Sequence, residues 1–259
     1  NTGTWSDKAI KEAKLFGELV EVASSKDKNF TYIPKGYDIP SDADYFHCTS
    51  NNTIFGTQIK DFPSLEIPLI CDMSSDIFSR QLDFSKFDLI YAGAQKNMGP
   101  AGTTVIIIKE DILGKVERTI PSMLNYKVHL GKESMFNTPA VFPIYVSMLT
   151  LEWLKNLGGI PFIEKVNQKK ADLLYGEIDR NPLFSGIVAK EDRSIMNATF
   201  SLQDNALTGR FDTLWKEARI NGLNGHRSVG GYRASMYNAL PLFSVQALVD
   251  TMQELERKA

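Results

Sequence analysis

Two residues stand where they can do chemistry together: Asp72, which closes the apolar run Ile67-Pro68-Leu69-Ile70-Cys71, and Lys96, which follows a second apolar run, Phe87 to Ala92, through Gly93-Ala94-Gln95. Short apolar runs that end in polar residues suit buried strands of a parallel sheet, and ligands gather beyond the carboxyl ends of such strands. A lysine there can hold pyridoxal phosphate as a Schiff base. A carboxylate facing the pyridine nitrogen keeps that nitrogen protonated, so the ring can accept electrons from a carbanion. Taken singly, Asp72 reads more often as a helix cap or turn residue, and Lys96 as a solvated surface lysine. Their pairing at two strand ends points to a cofactor.

The elements that must position this pair follow from periodicity. Ser6 to Leu15 reads as a helix capped by Ser6, and Gly17 to Ala23 as a strand. Lys28 to Asp44 carries Pro34, Gly36 and Pro40 and reads as loop or broken helix. Tyr45 to Thr49 is the next strand, ending in the polar turn Ser50 to Thr53, and Leu69–Asp72, Leu89–Ala92 and Thr104–Ile108 follow as strands. Ile144, Ser147, Met148, Leu151, Leu154 and Leu157 recur at helical spacing until Gly158-Gly159-Ile160-Pro161 stops the helix. That break marks the expected boundary between a larger domain, residues 1–158, and a smaller C-terminal one, residues 159–259. In the smaller domain, a helix from Phe162 to about Asp179 is expected to turn Phe162, Val166, Leu173 and Leu174 toward the core. A strand (Met196 to Leu202), a helix (Phe211 to Arg219), a strand (Tyr232 to Met236) and a terminal helix (Leu242 to Arg257) complete it. The alternation argues an α/β fold with a mostly parallel sheet in the large domain.

Composition narrows the function classes. The chain has 259 residues, 43% hydrophobic and 23% charged, as a folded globular protein requires. With 29 basic and 31 acidic residues and a net charge of -2, there is no electrostatic case for nucleic acid or an anionic membrane. No apolar run approaches the ~20 residues that span a bilayer, and a cytoplasmic location is expected. Cys48 and Cys71 lack metal-ligand spacing, which favours reduced thiols. The triplet Asn51-Asn52-Thr53 fits a glycosylation pattern that is common by chance. Phosphate-loop, dinucleotide-turn, zinc-helix and nucleophile-elbow motifs are absent, and His47, His129 and His226 lie in separate segments.

Four tracts agree in order and spacing with one family: His47 to Gly56, Tyr91 to Gly102, Met135 to Pro139, and Gly225 to Ser235. Across essentially its whole length the chain resembles the phosphoserine aminotransferases, class V pyridoxal-phosphate enzymes with an aspartate-aminotransferase-like fold. The resemblance implies transfer of the amino group of glutamate to 3-phosphohydroxypyruvate, giving phosphoserine and 2-oxoglutarate. A phosphorylated hydroxythreonine on the route to pyridoxine would suit the same anion sites. It implies Lys96 as the Schiff-base lysine and proton carrier, and Asp72 as partner of the ring nitrogen. Thr53 and Gln95 are implied as cofactor contacts, although such side chains at turns also bond local backbone. Asn137 and Thr138 are implied to reach the cofactor phosphate of a second subunit in a homodimer with composite sites; a plain Pro-ended turn is the alternative. His226 and Arg227 are implied for the substrate phosphate and Arg233 for the α-carboxylate, with Gly230-Gly231 allowing a close turn.

The chain starts at Asn1-Thr2-Gly3-Thr4-Trp5 without a Met. The resemblance places a segment on the order of 100 residues before it. That segment is expected to carry a glycine-rich phosphate turn, an aromatic residue stacked on the ring and an arginine for the substrate carboxylate. On that expectation the chain by itself is inactive. The rival readings are an inactive remnant or assembly module of this fold, and another enzyme of the fold that uses Lys96 and Asp72 for desulfuration or for transamination of alanine or serine.

Overall fold

In the computed structural model, which describes residues 1–259, the strand ends that carry the chemistry lie side by side. β1 (Phe46–Thr49), β2 (Leu69–Asp72) and β3 (Leu89–Gly93) run parallel, and β4 (Thr104–Ile108) pairs antiparallel with β3, in the order β1-β2-β3-β4. The register aligns Thr49 with Asp72 and Asp72 with Tyr91. Because side chains alternate along a strand, Leu69, Cys71, Ile90 and Ala92 share one face, where Met73, Ile77, Phe87 and Met98 complete a buried apolar cluster. Cys48 and Cys71 also stand in register, as free thiols with Sγ atoms 3.7 Å apart.

A second sheet is fully antiparallel: β5 (Phe184–Gly186), β6 (Asn197–Leu202) and β7 (Tyr232–Ser235). Against it pack α4 (Gly159–Arg180), α5 (Thr208–Glu217) and α6 (Leu242–Lys258). This core is separate from the first and includes Leu174, Ile178, Phe200, Phe211 and Met252. Edge-to-face contacts of Phe211 with Phe184 and with Tyr232 organise its centre. The remaining helices are α1 (Thr4–Ala13), α2 (Tyr126–Leu130) and α3 (Val141–Asn156). No helix is long and apolar enough to cross a membrane.

Several expectations need correction. Gly17 to Ala23 forms no strand, because its backbone finds no neighbouring strand with which to build a ladder. Ser6 does not cap α1; the helix begins at Thr4 after Gly3, and Ser6 is buried within it. The Gly158-Gly159 break is narrower than expected. Gly158 adopts φ 110° and Gly159 φ 70°, and α4 starts at Gly159 with Pro161 in its first turn, where a missing amide hydrogen costs nothing. Phe162 is exposed, and the buried stripe of α4 is Ile163, Asn167, Lys170, Ala171, Leu174, Glu177 and Ile178. Along α3, Ser147 and Leu154 are buried while Ile144 and Met148, and Leu157 just past its end, are exposed.

Candidate active site

Lys96 lies in the turn that follows β3. The amides of Met98 and Gly99 both donate to Ala94 O, closing a single helical turn that presents the lysine beyond the carboxyl end of the sheet. Its Nζ donates to Thr53 Oγ1 at 2.8 Å, and Thr53 comes from the turn after β1. Asp72 ends β2, between those two strands. Its Oδ1 accepts from the Ser74 amide at 2.9 Å, which orients the carboxylate and leaves its second oxygen without a partner. The alignment of three parallel strands thus gathers Thr53, Asp72 and Lys96 from segments up to 43 residues apart.

Electrostatics suit the lysine to bond formation. Burial holds its amine below the usual lysine range, Asp72 opposes that shift, and Arg233 adds to it. Arg233, on β7, therefore shares this electrostatic neighbourhood although it belongs to the other sheet, and its Nε is buried without a hydrogen-bond partner. Gln95 is exposed and folds back over the strand end. A Cβ at Gly93 would stand 2.6 Å from Gln95 Oε1, so glycine makes that path available. Beside Asp72, Tyr91 OH lies 3.0 Å from His47 Nε2. Burial lowers the His47 pKa while Asp72 opposes the shift. Burial likewise raises that of Tyr91, and Asp72 adds to it.

Other predicted residues stand apart from this cluster. His226 Nδ1 pairs with Ser228 Oγ at 2.7 Å, and Arg227 is exposed on the same loop. That loop is closed by glycine: Gly225 N donates to Gly231 O at 2.8 Å, and a Cβ on Gly225 would collide with Gly230 O. Gly230 and Gly231 both have positive φ, which allows the reversal before β7. Asn137 and Thr138 are exposed in the segment before α3, where Asn137 Nδ2 lies 3.0 Å from Met123 Sδ.

One residue was missed. Trp5, on α1, places its indole ring 5.8 Å from Lys96 Nζ, so an aromatic face is present beside the lysine within this chain. Polar ties hold α1 there: Ser6 Oγ donates to Thr49 Oγ1, and Asn52 Nδ2 to Thr2 Oγ1. Gly3 packs against Asn52, where a Cβ would come within 2.9 Å of Oδ1. The signal was a tryptophan one residue into the first helix, legible only once that helix was known to lie against Thr49 and Asn52.

A desolvated amine, a half-free carboxylate on the neighbouring strand and an indole face form a donor set that suits pyridoxal phosphate. Residues 4–248 match the model of the class-V aminotransferases. Over 258 residues the chain is 70% identical to phosphoserine aminotransferase of Flavobacterium johnsoniae, covering 100% of this chain and 72% of the relative. It is 57% identical over 259 residues to that of Bacteroides thetaiotaomicron, covering 99% of this chain and 73% of the relative. Among solved structures, phosphoserine aminotransferase of Bacillus circulans subsp. alkalophilus superposes with TM-score 0.95 at 44% identity, over 99% of this chain and 72% of that one. The pyridoxal-phosphate-bound enzyme of Trichomonas vaginalis superposes with TM-score 0.91 at 36% identity, over 97% and 73%.

The fold is that of a pyridoxal-phosphate transaminase of the aspartate-aminotransferase-like type. The chain belongs to the class-V aminotransferases and, within them, to the phosphoserine aminotransferases. The activity of that family is the glutamate-dependent transamination that makes phosphoserine for serine biosynthesis.

Proposed function

We propose that Lys96 and Asp72 are the reacting pair of this aminotransferase, and that Thr53, Gln95 and Trp5 complete the cofactor's seat. The observation that carries the reading is the Lys96 Nζ contact with Thr53 Oγ1, made beside Asp72 in a setting that lowers the amine's pKa. When bound, pyridoxal phosphate supplies the electron sink that lets a substrate C–H bond ionise. Lys96 would bind it through Nζ and, as a free amine, would hold and move a proton at that atom. Thr53 Oγ1 orients that amine, and Asp72 would hold a proton on the ring nitrogen. Trp5 would offer its indole face to the ring and keep water from it.

Arg233 receives the substrate carboxylate. Its guanidinium offers two parallel donors, and the orphaned Nε needs an acceptor. His226 and Arg227 receive the substrate phosphate from the glycine-walled loop, which leaves them accessible. Asn137 and Thr138 serve a second subunit in a homodimer. Their exposure, and the exposed apolar side chains Phe136, Val141, Phe142 and Tyr145 around them, support that reading. The large domain ends at residue 158 and the small one begins at 159, in keeping with the two separate apolar cores and the kink at Gly158. The enzyme works in the cytoplasm.

The test is to incubate the protein with pyridoxal phosphate, reduce it with borohydride and map the modified lysine by peptide mass spectrometry. Label concentrated on Lys96 is expected. Label scattered over surface lysines overturns the assignment.

A further inference from the structure

The two apolar cores meet across a layer of buried asparagines, and one of them adjoins the reactive lysine. Asn51, Asn97, Asn167, Asn197 and Asn238 are all buried. Asn97 follows Lys96 directly, and its side chain leaves the turn on the side facing the small domain. Its Nδ2 donates to Ile77 O at 3.0 Å, in the segment that follows Asp72, and its Oδ1 accepts from the Asn238 amide at 3.1 Å. Asn238 stands three residues beyond β7, the strand that carries Arg233.

The far end of this tie is rigid. Asn238 Nδ2 donates to Phe78 O at 3.0 Å, and its Oδ1 accepts from Asn167 Nδ2 at 2.9 Å. The ammonium of Lys170 binds the carbonyls of Met236, Tyr237 and Leu240 at 3.0, 2.9 and 3.1 Å. Asn97 thus connects the turn bearing Lys96 to a fixed stretch of backbone continuous with Arg233. Only a short carboxamide can accept from one backbone amide and donate to a separate carbonyl at this span. An aspartate cannot donate, and an aliphatic side chain leaves both backbone groups unpaired in a buried site.

We propose that Asn97 is a positioning residue for transamination, setting the Lys96 amine relative to the Arg233 guanidinium. This rests on the roles given above to Lys96 and Arg233. With substrate carboxylate on Arg233, the distance from its α-carbon to Nζ depends on how the lysine turn is registered against β7, and misplacement on the ångström scale costs on the order of a hundredfold in rate. Asn167 serves the same junction without touching the lysine turn: its Nδ2 donates to Ser79 O at 2.9 Å as well as to Asn238.

The experiment compares Asn97→Ala with Asn167→Ala in the holoenzyme. Three quantities are read: borohydride labelling of Lys96, the pH midpoint of the bound cofactor's absorbance change, and kcat and KM for glutamate. Wild-type labelling at Lys96 checks the underlying site reading separately, and its failure removes the basis of both. With labelling intact, Asn97→Ala is expected to move the absorbance midpoint by about half a pH unit or more and to lower kcat about tenfold, with a smaller change in KM. Asn167→Ala is expected to leave the midpoint in place. Equal shifts in both variants, or no shift in Asn97→Ala, overturn the proposal. Should Asn97→Ala fail to fold, Asn97→Asp keeps the acceptor for Asn238 and loses the donor to Ile77, and the same comparison decides.

Discussion

One buried lysine should make this protein more stable as the pH rises. Lys170 is fully buried, and its ammonium meets three backbone carbonyls and no carboxylate. Burial pushes its pKa down to about 8 from 10.5. Between those values the unfolded chain binds more protons than the folded one, so stability rises with pH there, by at most about 3 kcal/mol in all. About 2 kcal/mol of that rise falls between about pH 7 and about pH 9.5. Burial lowers Lys60 and Lys96 in the same direction, so wild type alone does not isolate the effect. Lys170→Met does, because a thioether does not titrate. Urea unfolding at the two pH values, followed by the fluorescence of Trp215 in the same core, supplies the comparison. The variant should lose about 2 kcal/mol of the wild-type rise. An equal rise in both proteins refutes the reasoning and means that the three carbonyls offset the desolvation completely.

The other predictions concern the site. Lys96→Ala should abolish the borohydride label on the peptide spanning Tyr91 to Gly102, while leaving circular dichroism unchanged. Asp72→Asn should keep the Lys96 label but lower kcat by about a hundredfold or more, because the charge that holds the ring proton is gone; wild-type turnover in this variant would remove Asp72 from the mechanism. Arg233→Ala should lower kcat/KM for glutamate by ~10- to 150-fold, matching a lost charge-assisted pair of about 1.5–3 kcal/mol, and Arg233→Lys should recover only part of it. Trp5→Ala should weaken cofactor retention about fivefold, as befits about 1 kcal/mol of aromatic contact, measured by equilibrium dialysis.

Local pattern carried a large share of the architecture. The strands ending at Asp72 and leading to Lys96 were legible because a short apolar run bounded by polar residues has few other uses. α6 was legible because its buried positions, Val245, Leu248, Val249, Met252 and Leu255, repeat at helical spacing. Gly17 to Ala23 misled because a strand is defined by its neighbour, and intrinsic preference says nothing about whether one is present. β5 was not foreseen for a related reason: its three residues become a strand only by pairing with β6. The buried stripe of α4 escaped notice because hydrophobic spacing does not register Asn167 and Lys170, which are buried for their hydrogen bonds.

By itself, then, the amino-acid sequence determined the residue types at the strand ends, the alternation of elements and the four tracts that mark the family. Those follow from covalent order and short-range periodicity. The tertiary structure decided which of the residues meet: that Thr53 reaches Lys96, that Trp5 faces the same amine, and that Arg233 from the second sheet enters its electrostatic field. It also decided that the junction between the cores is an asparagine layer. A hydrogen bond between groups more than a hundred residues apart, such as that from Asn238 to Asn97, leaves no local periodicity in the chain; only the packing of two sheets brings donor and acceptor within 3.1 Å.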